Sequence, residues 1–323
     1  MGTSAWTIAD EYYIESKRTV FFNATLRSEY KLPSIGEGTL TVFAPKPPDT
    51  DSQVISSSKL TVNGLGAPEG AERNQSRQML GVRLESTQLR GKKQIDVRTE
   101  YRGKLYSREL KEGNRNSEVA ELTNDSKRLY TSKTETMNWG NPIFMDWLSS
   151  SGLIRKGAET DIEFARRSYL YIVRNGKYGG DTNSYRSRRP SEVCKTISND
   201  CGGLALLFVA SMRANQIPAR SLFGRWAMNQ DGDYGQFHVI AEFYASGVGW
   251  VPVDISSAIL HSPSAPEEHF GRDSGRFIVF HIDTDITPIE NFTHGWAQYP
   301  IIHWNGSGDM WKNFSESSSW KVR

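Results

Sequence analysis

The stretch Ser198-Asn199-Asp200-Cys201-Gly202-Gly203-Leu204-Ala205-Leu206-Leu207-Phe208-Val209-Ala210-Ser211-Met212-Arg213 decides the fold. Asp200 or Asn199 supplies an N-cap, because a short side-chain oxygen there accepts one of the unpaired N–H groups of a first helical turn. Leu204 to Ala210 is apolar on every side, so the predicted helix is central and buried. Asn215 and Pro218 end it. Cys201 falls in the first turn, where the N–H groups and the helix dipole favour negative charge on sulfur and on an oxyanion forming beside it. A free cysteine is more often a buried packing residue. Gly202 and Gly203 argue otherwise here, since each costs about 1 kcal/mol in a helix relative to Ala and is useful only where another chain comes close.

A cysteine nucleophile needs a base, and the base needs an orienting acceptor. The histidines are His238, His261, His269, His281, His294 and His303, and only His238 lies in a clear strand. Strands are predicted at Ala219 to Trp226, Phe237 to Tyr244 and Trp250 to Ile255, joined by loops with Asp231-Gly232-Asp233 and Gly247-Val248-Gly249. His238 shares a strand face with Ile240, Glu242 and Tyr244. In a hairpin centred on Ser246, His238 and Asp254 are equidistant from the turn, directly opposite and on one face, with Cβ atoms about 4.5–5.5 Å apart. A one-residue slip would send Asp254 to the other face. Glu242 and Asn199 are the next acceptors to consider.

Upstream, Thr160-Asp161-Ile162-Glu163 has the form of a capping box. Ile162, Ala165, Tyr169, Ile172 and Val173 then share a helical face that stops at Asn175-Gly176, and Asn141 to Leu148 forms a short helix. Residues from about 10 to 110 read as antiparallel strands. Leu80, Val82 and Leu84 alternate with polar or small residues, as do Ile95, Val97, Thr99 and Tyr101, with a turn at Arg102-Gly103. Val20 to Leu26 and Thr39 to Ala44 are further β-type runs, separated by prolines and by Asn63-Gly64 and Gly66-Ala67-Pro68. The polar stretch Lys111 to Lys127 is the expected boundary. It divides a β-sandwich domain, 1–128, from a catalytic domain, 129–323.

Asp200-Cys201-Gly202-Gly203, the apolar helix, Ile217-Pro218-Ala219-Arg220, Phe237-His238-Val239 and Gly249-Trp250-Val251-Pro252-Val253-Asp254 together resemble the transglutaminase-like superfamily of cysteine enzymes. The likeness covers about residues 130 to 290. It implies an α+β fold: an N-terminal antiparallel β-sandwich, then a papain-like core whose Cys-bearing helix packs on an antiparallel sheet. It places the family's Cys, His and Asp on Cys201, His238 and Asp254. It implies acyl transfer on amides of proteins or peptides, by a peptidase or amidase, or alternatively by a transglutaminase joining Gln to Lys. A non-catalytic binding protein on the same fold is the remaining alternative, against which an intact Cys, His and Asp argues. The family adds an oxyanion donor upstream of the cysteine, and Tyr178 or a residue near it is the candidate.

The 323 residues suggest about two domains at roughly 150 residues each. The formal charge of +2 gives no electrostatic case for a nucleic-acid partner. The longest uncharged apolar run, Leu204 to Met212, is about half a bilayer span. No signal peptide is visible at the N-terminus, which leaves the compartment open between cytoplasm and periplasm or exterior. The chemistry needs no cofactor. The spacings of His261 with His269 and of His294 with His303 fit no common zinc pattern, and Cys194 reads as a buried thiol. Arg186, Arg188 and Arg189 read as a solvated loop, or else as a rim attracting acidic substrate.

Overall fold

The computed structural model describes residues 12–32, 36–67, 77–113, 119–179, 187–228, 237–309 and 315–323. Pro68, Asn114, Asn116, Arg186 and the Asp231-Gly232-Asp233 turn lie outside them. The fold is α+β with antiparallel sheets, as expected. Two compact units interleave along the chain. One takes residues up to Lys17, Ser107–Leu222 and Val239–Ser274; the other takes Arg18–Tyr106, Phe223–His238 and Gly275–Arg323. Beside the expected division at residue 128, the last fifty or so residues group with the N-terminal strands in this partition.

Strand pairing supplies the reason. In the strand-rich unit the main strands are β1 (Tyr12–Lys31), β2 (Gly38–Pro45), β3 (Gln53–Val62), β4 (Met79–Glu85) and β5 (Gln94–Glu112), of which β1 and β5 run on into the other unit. Further along lie β6 (Ala219–Trp226), β7 (Phe237–Ala245), β8 (Gly249–Val253), β9 (Phe277–Ile282), β10 (Ile301–Gly306) and β11 (Glu316–Val322). One sheet has the order β11-β1-β5-β3, extended by Leu65–Gly66 beside β3 and Arg272–Asp273 beside β5. A second has the order β10-β2-β4. Leu26 faces Trp320 across β1 and β11, and Val42 faces Ile302 across β2 and β10.

Alternation then buries one face of each sheet. Leu60, Val62, Ile95 and Val97 of the first pack against Leu40, Val42, Val82 and Leu84 of the second, which is the expected sandwich. A neighbouring cluster joins Phe22, Leu26, Tyr101 and Trp320 to Ile278 and Phe280 of β9. The turn expected at Arg102-Gly103 is absent, because β5 continues through it. A Cβ on Gly103 would press on the Phe22 ring at 3.0 Å, and the β3–β5 register shifts there between Ile55 and Ser57. The glycine marks a bulge within a strand, not a turn between two.

In the helical unit, α1 is Pro142–Ser150, α2 Asp161–Asn175, α3 Cys201–Ala214 and α4 Ile255–His261. The capping box forms as expected: Thr160 Oγ1 accepts the Glu163 N–H at 3.2 Å, and Glu163 Oε2 accepts the Thr160 N–H at 2.8 Å. Every residue of α3 from Cys201 to Arg213 is buried. Phe208 of α3 meets Phe243 of β7 with ring centroids 6.3 Å apart, so the helix lies on the sheet of order β8-β7-β6-β9. Several polar groups inside this core are paired. Ser211 Oγ bonds Ser168 Oγ of α2 at 2.9 Å, and Arg213 donates to the carbonyls of Ala219 and Ser132 at 2.9 and 3.0 Å.

Trp320 anchors the C-terminal strand. It is 1% exposed, its ring meets Phe280 edge-on at 5.9 Å, and its Nε1 donates to the Trp226 carbonyl at 2.9 Å. Trp320→Ala is expected to cost about 3–5 kcal/mol in urea unfolding. A cost typical of a surface position, below about 0.5 kcal/mol, would contradict the placement of this strand.

Candidate active site

Asp200, of the two caps considered, holds the N-terminus of α3: its Oδ1 accepts the Gly203 N–H at 3.0 Å. The same carboxylate takes the Arg188 guanidinium in a fork, with Nε at 3.0 Å from both oxygens and Nη2 at 2.6 Å from Oδ2. Burial alone would raise the Asp200 pKa. The Arg188 bonds and charge, with the Gly203 and Gly202 N–H groups, outweigh it and hold the carboxyl below the ordinary range. Arg188 is thus neither solvated nor a free rim charge, which corrects the readings of the basic cluster for that residue; Arg189 is exposed and pairs with Glu135 at 2.5 Å.

The arginine also explains the glycines. A Cβ on Gly202 would sit 2.8 Å from Arg188 Nε, and one on Gly203 would overlap the Asn199 side-chain amide. Close approach is required here, as the sequence suggested, and side chains of the same unit make it. Asn199 is engaged: its Oδ1 accepts the Asp200 N–H at 3.0 Å, and its Nδ2 donates to the Ser187 carbonyl at 3.2 Å.

Cys201 is the first residue of α3 and 9% exposed. A short parallel pair, Lys177–Tyr178 with Ser198–Asn199, brings Tyr178 opposite Asn199 and so next to the cysteine. The Tyr178 hydroxyl lies beside Cys201, close enough for its side chain and backbone to act on the phenol. Burial, then the neighbouring Cys201 and Asp200, push this hydroxyl up to about 12. At neutral pH it is a proton donor. Cys194 is different in kind: 4% exposed, its thiol pushed up to about 11 by burial, and directed at the Ser191 carbonyl at 3.5 Å. Both cysteines are free thiols.

His238 lies on β7, the last residue of its stretch of the strand-rich unit. It is 8% exposed, stacks on Trp226 at 4.9 Å and 26°, and meets Phe277 edge-on at 6.0 Å. Its carbonyl accepts the Gln298 Nε2 at 2.9 Å, and the same nitrogen donates to the Gly224 carbonyl at 2.9 Å. Gln298 therefore ties β6 to β7 beside the histidine, a long-range clamp that no local pattern announces.

Asp254 departs from expectation in two ways. The strand predicted to Ile255 stops at Val253, and Asp254 caps α4. Its Oδ1 accepts the Ser257 N–H at 3.0 Å and the Ser256 hydroxyl at 3.2 Å, while Oδ2 accepts the Ser257 hydroxyl at 2.7 Å. Asp-Ile-Ser-Ser is itself a cap signature that the alternating Trp250 to Val253 run concealed. Second, the hairpin pairs Ala241 with Val253 and Ala245 with Gly249, so it is centred on Gly247 and not Ser246. The position facing Asp254 along this register is Ile240. His238 comes two positions further along, on the same side of the strand, so the offset is diagonal and the parity is kept.

Glu242, the first alternative acceptor, is fully engaged elsewhere. It is completely buried, with Oε1 paired to Arg108 at 2.5 Å and Oε2 to Arg220 at 2.6 Å; Arg108 also meets Asp273 at 3.0 Å. Burial would raise its pKa, and the two arginines outweigh burial and keep it ionised. Among the described residues no cluster of His, Cys, Asp and Glu has the makings of a metal site.

Residues 151–255 match the transglutaminase-like superfamily, a segment that holds Cys201, His238 and Asp254. The resemblance drawn from the sequence is correct for that segment. No curated protein matches the chain. Among solved structures, a candidate cysteine protease from Cytophaga hutchinsonii has a similar fold, with a TM-score of 0.59 over 96% of this chain and 92% of that one at 13% identity. The periplasmic domain of TgpA from Pseudomonas aeruginosa aligns over 76% of this chain and 92% of that one, with a TM-score of 0.37 at 11% identity. At 13% identity the likeness to the Cytophaga hutchinsonii protein is one of fold. No helix among the described residues is long and apolar enough to cross a membrane.

Two outcomes follow from these ion pairs. Glu242→Gln removes the buried anion that Arg108 and Arg220 share, leaving Arg108 its bond to Asp273, and should cost about 3–5 kcal/mol in chemical denaturation; a loss below about 1 kcal/mol would mean the site is wetter than described. Asp200→Asn should cost only about 1 kcal/mol at neutral pH, because the side chain is 36% exposed and solvent screens the pair. A carboxyl held low in the folded state stabilises fully above its unfolded pKa, near 3.9, and loses that contribution as pH falls through the folded value. The stability difference between wild type and Asp200→Asn should therefore be constant from about pH 5 upward and shrink below about pH 4.

Proposed function

We propose that this protein is a cysteine-dependent acyl-transfer enzyme acting on amide bonds of proteins or peptides, most simply as a peptidase or amidase with Cys201, His238 and Asp254 as its triad. The observation that carries the reading is Cys201 as the first residue of a capped, buried helix, beside the Tyr178 hydroxyl.

In this reading the Cys201 sulfur attacks the amide carbonyl carbon and its proton passes to the His238 ring. A C–S bond forms and the carbonyl π pair moves to oxygen. The Cys201 N–H and the Tyr178 hydroxyl are the donors for that oxyanion, and the raised Tyr178 pKa keeps its proton in place for the task. Collapse breaks the C–N bond, and His238 delivers its proton to the leaving amine. A thioester on Cys201 remains. Water attacks it to release a carboxylic acid; an amine attacking instead gives transamidation. Asp254 orients the imidazole and stabilises its cation, with the first turn of α4 fixing the carboxylate in place.

The test is a protein-digest peptide library incubated with enzyme, with and without a fluorescent primary amine, and read by mass spectrometry. Hydrolysed or amine-tagged peptides are expected, and their ratio assigns the acceptor. Cys201→Ala should abolish both while leaving the melting temperature within a few degrees, and Cys194→Ala should be silent. Asp254→Asn should lower kcat less than the roughly 10⁴-fold loss of serine enzymes, because a thiol ionises more readily than a hydroxyl. Unchanged turnover in Cys201→Ala, or no product of either kind from wild type, would overturn the proposal.

A further inference from the structure

A concave site on the strand-rich unit has no place in the catalytic reading and stands independently of it. On the face of β11, β1 and β5, three adjacent strands, a cavity of about 390 Å³ is lined by Arg27, Arg98, Arg102, Lys321 and Arg323. One carboxylate, Glu100, joins them and pairs with Arg98 at 2.8 Å. Arg27, Arg102, Lys321 and Arg323 make no side-chain ion pair among the described residues. Four uncompensated cations on a rigid sheet repel one another, and nothing in the packing of the sandwich requires them, since the opposite face supplies the core.

The rest of the lining is equally directed. Thr25 stands opposite Lys321, Arg27 opposite Ser319, and the backbone of Asn23 exchanges hydrogen bonds with that of Arg323 at 2.9 and 3.0 Å. Asn23 and Thr25 are half-buried and Ser319 is exposed, so one neutral amide and one hydroxyl form the floor beneath a cationic rim. Four of the five cations are arginines, whose planar forks match the paired oxygens of phosphate or sulfate. Residues two apart on a strand lie about 6.6 Å apart and neighbouring strands about 4.8 Å apart, so the charges spread over a distance that one small anion does not span. We propose that this cavity binds a small soluble ligand carrying two or more phosphate or sulfate groups. A planar lipid surface fits less well, because the neutral donors Asn23 and Thr25 are half-buried beneath the cationic rim.

The probe is tripolyphosphate, titrated calorimetrically into the intact protein at low salt, with inorganic phosphate and phosphatidylserine vesicles as the other arms. Saturable one-to-one binding of tripolyphosphate is expected, about tenfold or more tighter than phosphate and weakening steeply with added salt. Arg27→Gln with Arg102→Gln should weaken it at least about tenfold, and Lys127→Gln, an exposed lysine of the other unit, should not. These side chains are exposed, so folding should survive; Lys321→Gln serves if the double variant melts early. No saturable binding, binding indifferent to these substitutions, or binding to vesicles alone would overturn the proposal.

Discussion

Everything proposed for the nucleophile depends on one carboxylate. Asp200 closes the first turn of a helix that has no exposed face, and Arg188 closes on Asp200 from outside that helix. A buried helix N-terminus without partners would leave backbone donors unpaired at a cost the core could not offset. The cap removes that cost, and it sets Cys201 beside Tyr178. The glycines follow from the same arrangement: Arg188 and Asn199 occupy the volumes that side chains at 202 and 203 would need. The Asp-Cys-Gly-Gly sequence is therefore one packing solution, in which the cap, the bare backbone and the sulfur are mutually required.

A second constraint acts on the histidine strand. Buried ion pairs cost desolvation and are weak sources of stability, but they penalise every register in which a charge loses its partner. Glu242 is held between Arg108 and Arg220, and Arg220 lies flat over Trp250 at 3.9 Å. His238 is four residues before Glu242 and therefore on the same side of β7. A one-residue slip would turn Glu242 into the apolar layer and His238 with it. The face presented by the histidine is thus fixed by a charge cluster that performs no chemistry itself.

The parts legible in the sequence are those whose causes are local. The capping box at Thr160, the end of α2 at Gly176 and the all-apolar α3 are set by neighbours within a few residues. What escaped was set from afar. Arg188 gives no sign, twelve residues before Asp200, that it will pair with it, and Gln298 gives none that it will bridge β6 and β7. Trp320 pairs with a strand at the other end of the chain, a contact that reading in order does not reveal. The symmetric loop about Ser246 misled by two residues because Gly249, at a φ of +100°, belongs to the strand end and not to the turn. Charge shows the same limit: a formal excess of +2 hides a segregated group of five cations on one sheet face.

The central claim is that Cys201, His238 and Tyr178 serve a single carbonyl. A crystal structure of the protein treated with a peptide aldehyde tests it most directly, because the thiohemiacetal so formed reproduces the tetrahedral adduct of the proposed reaction. The account predicts a covalent bond at Cys201 and not at Cys194. It predicts the adduct oxygen within about 2.6–3.2 Å of the Cys201 nitrogen and the Tyr178 hydroxyl, with a His238 ring nitrogen in hydrogen-bond reach of the adduct. An adduct whose oxygen points away from both donors, or a His238 ring turned from the sulfur with another residue in its place, would contradict it.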